Sequence, residues 1–160
     1  MVRGDEVSEV QRELLHTMPV FGGISEDTLD FLLQLADLRH FSAGEYFFHE
    51  GDNAASMFVV QSGRVAVLKS GEGKELMLKE LNEGDCFGEM ALLDLYPRSC
   101  SVKALNACTV IEISQQYLFR LYQHNLEQFT IIQMNIGREI SRRLRLTGEQ
   151  LFQSEGVKIE

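Results

Sequence analysis

The chain has 160 residues, of which 44% are hydrophobic and 24% charged, with two prolines and a net charge of −9. A chain of this length suits one domain, or one domain with a helical extension, and folding buries roughly 70% of its surface, so no covalent or metal staple is required. The acidic balance argues against a broad phosphate-neutralising face and so against nucleic acid as a direct partner, while the charged N-terminus and the lack of an apolar run of ~18 residues argue against a signal peptide or a membrane span.

The first section, residues 1–37, reads as a helical motif. Val7, Val10, Leu14 and Met18 recur at spacings of three and four, which predicts one buried helix face. After "PVFGG" a second helix starts at Ser25, which can cap it, with Glu26 and Asp27 at the positive end of its dipole and Ile24 placed to pack on Leu29. Leu29, Leu32, Leu33 and Ala36 continue its apolar face.

Residues 38–113 change to β texture. The runs "EYFFHE", "SMFVVQ", "RVAVLK", "ELMLKEL" and "ACTVIEI" sit between regularly spaced glycines, which predicts a β-roll or jelly roll. "SGEGKE" between two of these runs reads as a hairpin turn rather than a phosphate cradle, because no strand-to-helix step follows it. Cys86, Cys100 and Cys108 are odd in number and share no metal-ligand spacing; they read as small buried residues of strand-like segments in a reducing, cytoplasmic compartment.

The third section, residues 114–160, is helical again. Ser114 can cap a helix, Ile113 and Leu118 are placed to pack across its start, and Asn125 breaks the chain before a long helix from Leu126 to about Phe152. The stripe Phe129, Ile132, Ile136, Ile140, Leu144, Thr147, Leu151 runs further than a domain of this size covers, so it needs a partner: the roll, the same helix of a second copy, or both in succession. The preferred reading is a two-fold homodimer through the 126–152 helix. Arg138, Arg142, Arg143 and Arg145 on this helix read as a solvated face. The three sections together make one domain of α+β class, mainly β: a roll with N-terminal helices and a long C-terminal helix.

The chemistry concentrates in "GDCFGEMALLDLYPRSCSV", Gly84 to Val102. Gly88 permits a tight backbone approach, Met90 to Leu93 can form one helical turn whose first N–H groups lack internal partners, and Arg98 offers a planar fork to a phosphate. Glu89 only accepts hydrogen bonds when ionised, so beside a phosphate it calls for a hydroxyl donor, such as a ribose 2′-hydroxyl. The object that meets both demands is a sugar phosphate with a free 2′-hydroxyl.

"FGEMALL…PRSCSV" is similar to the phosphate-binding cassette of the cyclic-nucleotide-binding domain family. The resemblance extends through "FSAGEYFFHEGDNAASMFVVQSGRVAV", "PVFGGISEDTLDFLLQLA" and "IEISQQYLFRLY", covering roughly residues 10 to 150. It implies that Phe87 and Met90 flank the site, that Gly88 and Glu89 meet the ribose, and that the backbone of Ala91 and Leu92 caps the cyclic phosphate. It further implies that Arg98 pairs with the phosphate charge and that Ser99 gives a hydroxyl to the phosphate or the base. Cys100 departs from the family's commoner alanine. "EISRRLRLTGEQL" is similar to the dimerising helix of catabolite-activator-type regulators, which would bring Thr147 to the base and favour adenine; its neighbour Gly148 has no side chain to contribute.

The expected function is therefore that of a receptor for a cyclic nucleotide, cyclic AMP ahead of cyclic GMP, that signals to a protein effector by repacking its C-terminal helices. No cofactor, metal or catalytic residue is expected. His40 and His49 are the β-region histidines, with no third or fourth to complete a cupin-like metal site, and His16 and His124 lie in helices. Up to Glu160 there is no room for a helix-turn-helix domain, so the reading is a stand-alone receptor or an excised domain, with Met1 favouring the former. Two alternatives stand beside it: a dimerisation module of the same fold that has lost its nucleotide, and the ligand-binding fragment of a transcription regulator.

Overall fold

The computed structural model describes residues 4–94 and 96–155. Among them are four α-helices, α1 (Gly4–His16), α2 (Glu26–Leu35), α3 (Gln115–His124) and α4 (Leu126–Glu155). Eight strands lie between α2 and α3: β1 (Asp37–Phe41), β2 (Tyr46–Phe48), β3 (Ser56–Ser62), β4 (Val65–Gly71), β5 (Lys74–Leu81), β6 (Cys86–Phe87), β7 (Ser101–Ala104) and β8 (Cys108–Ser114). They form two antiparallel four-stranded sheets, β1-β8-β3-β6 and β2-β7-β4-β5, packed as a jelly roll.

The continuous apolar runs of β3 and β8 follow from this layering, since both faces of their sheet are covered. Phe58, Val60 and Val110 point between the sheets, where they join Val67, Phe87, Val102 and a cluster of phenylalanines. Met57, Val59, Ile111 and Ile113 point the other way, into a second core built with Leu15, Leu29, Leu32, Leu121, Ile132 and Ile136 from the helices. The Gly71↔Lys74 pair closes a two-residue hairpin over Glu72 and Gly73, both at positive φ (51° and 74°), the primed turn that matches strand twist. "SGEGKE" is thus a hairpin turn. β5, the outer strand of its sheet, is exposed along all but its last residue.

The caps form as the sequence predicts. Ser25 Oγ accepts from the Thr28 amide at 3.2 Å and Ser114 Oγ from Tyr117 at 3.4 Å, with Ile24, Leu29, Ile113 and Leu118 all buried in the helical core. Asn125 is extended, ends α3 and caps α4 by accepting from the Gln128 amide at 3.2 Å. Asn135 Nδ2 on α4 donates to the carbonyls of Val20 (3.2 Å) and Gly22 (2.7 Å), clamping the long helix to the 3₁₀ turn Pro19–Phe21.

Two expectations need correction, and a third is narrowed. Val10 is exposed and α1 instead buries Leu15, with Met18 entering the core from the turn after the helix; the side chain of Val7 lies outside the described residues. Cys100 precedes β7 rather than lying in a strand and is half-buried, unlike Cys86 and Cys108. The α4 stripe divides: Ile132 and Ile136 are buried and Phe129 and Ile140 pack beside them, whereas Leu144, Thr147 and Leu151 are exposed. The fold covers the first half of that stripe and leaves the second half without an intramolecular partner. Among the described residues no helix is long and apolar enough to cross a membrane.

Candidate functional site

A cavity of about 330 Å³ opens at the end of the roll, walled by β4 and β5, the segment from Cys86 to Cys100, and α4. Phe87, Gly88, Glu89, Met90, Ala91, Arg98, Ser99 and Cys100 all contribute to its wall. Leu92 does not: it turns into the helical core. Thr147 does not reach the cavity either; it is exposed, and its hydroxyl donates to the Arg143 carbonyl at 2.9 Å, one turn back along α4.

Gly88 has φ of 77°, and a Cβ there would stand 2.7 Å from Arg98 Nη1 and 3.1 Å from the Ser56 carbonyl. Both facts require glycine: the left-handed backbone and the space taken by the guanidinium. The 3₁₀ turn Glu89–Leu92 follows directly, with the Ala91 amide donating to the Gly88 carbonyl at 3.1 Å.

Arg98 is only 8% exposed. Its backbone is tied to the loop after β2, the Arg98 amide donating to Asp52 and the Gly51 amide to Arg98, each at 2.8 Å. Its guanidinium lies 3.9 Å from the Phe48 ring centroid and donates to the Ser56 carbonyl (2.8 Å) and the Gly88 carbonyl (3.3 Å), while Nε is buried without a partner. Among the described residues no carboxylate pairs with it. Burial pushes its pKa below the ordinary arginine value, against distant Glu112 and Asp52. A buried cation held by two carbonyls and an aromatic ring, with no anion beside it, carries an unmet demand for negative charge.

Glu89, 4% exposed, points the other way round the wall and pairs with Arg143 of α4 through Oε1; Oε2 accepts no hydrogen bond from the described residues. Arg143 also approaches Glu139 Oε1 (3.4 Å) and Cys86 Sγ (3.7 Å). Glu139 is itself buried and pairs with Arg142 at 2.5 Å. Arg143 is therefore not part of a solvated face but a wall residue that fastens α4 to the cassette. Its place one heptad beyond buried Ile136 was the sequence signal for this; grouping it with the other arginines hid it.

Lys79 of β5 also contributes to the wall and was not singled out from the sequence. At the cassette's far end Lys69 Nζ donates to the Ser99 carbonyl (2.7 Å) and to Glu50 Oε1 (2.6 Å), bracing the loop that carries Arg98. Among the described residues no three His, Cys, Asp or Glu side chains gather as metal ligands would.

Comparison with known proteins identifies the family and the fold. The family model described as "Cyclic nucleotide-binding domain" matches residues 38–125. The chain is 34% identical over 129 residues to the cAMP-activated global transcriptional regulator CRP of Salmonella typhimurium, covering 79% of this chain and 60% of the relative. It is similar in structure to the Thermus thermophilus catabolite activator protein (TM-score 0.73, 28% identity, covering 83% of this chain and 61% of that one). It is also similar to the regulatory domain of Toxoplasma gondii PKA crystallised with cAMP (TM-score 0.71, 26% identity, covering 74% and 45%). A cyclic nucleotide-binding domain from Methylobacillus flagellatus shares the fold over 98% of this chain at 18% identity, with a TM-score of 0.83. The chain spans about 60% of the length of the curated relatives it matches.

Proposed function

From the premise that the chain belongs to the cyclic nucleotide-binding domain family, we propose that it is a cyclic-nucleotide receptor, for cyclic AMP ahead of cyclic GMP, whose output is a repacking of its C-terminal helices. The observation that carries this reading is Arg98: a buried guanidinium with an unpartnered Nε and no carboxylate beside it, at the wall of a cavity of about 330 Å³. That volume lies at the lower end of small-ligand sites and suits a mononucleotide. The cyclic phosphate supplies the missing negative charge, and Glu89 Oε2 accepts the ribose 2′-hydroxyl while Oε1 stays with Arg143. The relatives named for cAMP support adenine as the base.

The same carboxylate links ligand to helix. A nucleotide that engages Oε2 repositions the carboxylate that Arg143 holds through Oε1, and so biases where α4 lies. For this to signal, the ligand must prefer one arrangement of α4; a differential of about 1–3 kcal/mol is ordinary for such coupling. The exposed outer half of α4 carries the homodimer: Met134, Gly137, Ser141, Leu144, Gly148 and Leu151 alternate at three and four, the spacing of a two-helix seam. The receptor acts in the cytoplasm on a protein effector, with no cofactor, no catalytic step and no nucleic-acid contact of its own.

The test is a calorimetric titration of nucleotide-stripped protein with cyclic AMP, cyclic GMP and 5′-AMP. Tight binding of a cyclic nucleotide and none of 5′-AMP is the expected result. No heat with any of the three would favour a dimerisation module that kept the fold without the ligand. A further reading, the ligand-binding portion of a transcription regulator, is favoured by the names of the relatives and the 60% of their length matched. The reading of the encoding gene beyond codon 160 separates it from a stand-alone receptor.

A further inference from the structure

Charges alternate across the join between α4 and the cassette in the order Glu89, Arg143, Glu139, Arg142. Glu89 belongs to the cavity wall, and Arg142, with a side chain 60% exposed, stands at the solvent end. Glu139 lies between them and is only 8% exposed. Arg142 grips it as a fork, Nη2 donating to Oε1 at 2.5 Å and Nε to Oε2 at 3.2 Å. Burying a carboxylate is costly, and an arginine pair that served the helix alone would work as well on its solvent side. Arg143 has a carboxylate partner in Glu89 already, so neutralising Arg143 does not account for a second buried one.

The contacts of Arg143 show what Glu139 adds. The guanidinium is a rigid plane with five N–H donors at the end of a long, flexible stem. Nη1 donates to Glu89 Oε1, Nη2 approaches Cys86 Sγ at 3.7 Å, and Nε lies 3.4 Å from Glu139 Oε1. A thiol is a weak acceptor, so Glu139 is the group that holds the Nε edge. Because the group is planar, holding that edge directs Nη1 at one oxygen of Glu89. Released from Glu139, the fork is free to turn and take both oxygens of Glu89, the bidentate geometry that arginine and carboxylate favour. A ribose hydroxyl would then find no acceptor left for it.

We propose, on the receptor reading above, that Glu139 is a positioning residue of the ribose site: by holding the Nε edge of Arg143 it limits that arginine to Oε1 of Glu89 and keeps Oε2 open for the 2′-hydroxyl.

Cyclic AMP and 2′-deoxyadenosine 3′,5′-cyclic monophosphate differ only in that hydroxyl, and the ratio of their affinities reads the contact. Removing the charge of Glu139 favours any anionic ligand, but equally for both nucleotides, so it cancels in the ratio. Both are titrated against wild type, Glu139→Gln, Arg142→Gln, Arg143→Met and the double variant Glu139→Gln with Arg143→Met, with melting temperatures showing which variants fold. Wild type is expected to prefer cyclic AMP by about tenfold or more, the size of a hydrogen bond to a charged acceptor. Glu139→Gln should cut that preference about fivefold, through weaker cyclic AMP binding, with the deoxy analogue moving less than about twofold. Arg142→Gln, at an exposed position, loosens Glu139 without removing it and should shift the ratio the same way by about twofold, which keeps the test open should Glu139→Gln fail to fold. In the Arg143→Met background there is no fork to misplace, so Glu139→Gln should leave the ratio unchanged. A wild-type ratio in Glu139→Gln, an equal loss of both nucleotides, or the same shift in the Arg143→Met background overturns the proposal and leaves the receptor reading standing. Wild-type protein that binds both nucleotides equally removes Glu89 from the ribose and the proposal with it. Wild-type protein that binds neither overturns the receptor reading itself.

Discussion

At the scale of single residues the site depends on two neighbours that exclude any substitute. Gly88 leaves room for the Arg98 guanidinium, and Arg98 fills the space that a Cβ at position 88 would take. Arg98→Ala is expected to cost cyclic-nucleotide binding about 2–5 kcal/mol while the fold survives, because a desolvated charge partner is lost without removing core surface. Titration of the variant beside its melting curve checks both halves. Gly88→Ala should do more damage than its one added carbon suggests. It forces an alanine to φ of 77° and pushes Nη1 from its position, so binding falls toward the Arg98→Ala level and stability falls by about 1–2 kcal/mol. A Gly88→Ala protein with wild-type affinity would show that Arg98 is not the phosphate ligand. Gly88, Glu89 and Arg98 were legible in the sequence because a fixed spacing places them. Thr147 was placed by its neighbours on a helix, and a helix does not reveal how far along it the roll ends; the structure leaves it one turn beyond Arg143.

Among the elements, the join between α4 and the cassette is electrostatic. Removing Arg143 leaves Glu89 buried without its counter-ion, so Arg143→Met should destabilise by roughly 3 kcal/mol, and adding Glu89→Gln should recover much of that loss. A double-mutant cycle by urea unfolding reads the coupling; additive losses would mean the pair is not the fastening. A weaker join sits at the other end of the cassette, where the Lys69 ammonium and the Ser70 amide hold the Glu50 carboxyl below its ordinary pKa of 4.5. A folded-state pKa below the unfolded one stabilises the fold above pH 4.5 and loses that contribution as pH falls below it. Glu50→Gln should therefore melt lower than wild type at pH 7, and the gap should narrow as pH falls below 4.5; a gap that does not change with pH would point to packing instead. Legibility differed by element for similar reasons. β3, β4 and β8 announced themselves as apolar runs between glycines, whereas β1 has four exposed residues of five and β6 only two residues, so pairing with β8 and β3, rather than composition, makes them strands. On α1, amphipathic spacing pointed to Val10, but the helix meets α2 through Arg12 and His16, which pair with Glu26 and Asp30, and buries Leu15 instead.

For the whole molecule the question is what covers the last third of α4. The helix of 30 residues is about 45 Å long, and Leu144 (70% exposed) and Leu151 (60% exposed) lie on it beyond the reach of the roll. Leu144→Glu with Leu151→Glu should convert a dimer to a monomer in analytical ultracentrifugation while leaving the melting transition of the roll in place. A wild-type protein that sediments as a monomer would remove the homodimer from the account. The sequence pattern made the need for a partner visible and allowed the roll and a second helix in succession, but not where one gives way to the other, because periodicity cannot distinguish the part of a face that meets its own domain from the part that runs past it.

The hairpin of β4 and β5 has a consequence for the protein in a crowded solution. β5 has a neighbour on one side only, so its outer side presents unpaired backbone donors and acceptors next to the exposed Leu76, Met77 and Leu78, the features on which another extended chain could grow. Lys74, Glu75, Lys79 and Glu80 flank those three residues. An approaching strand would have to strip water from four charges to reach them, so the rim that frames the cavity also holds foreign strands away from it.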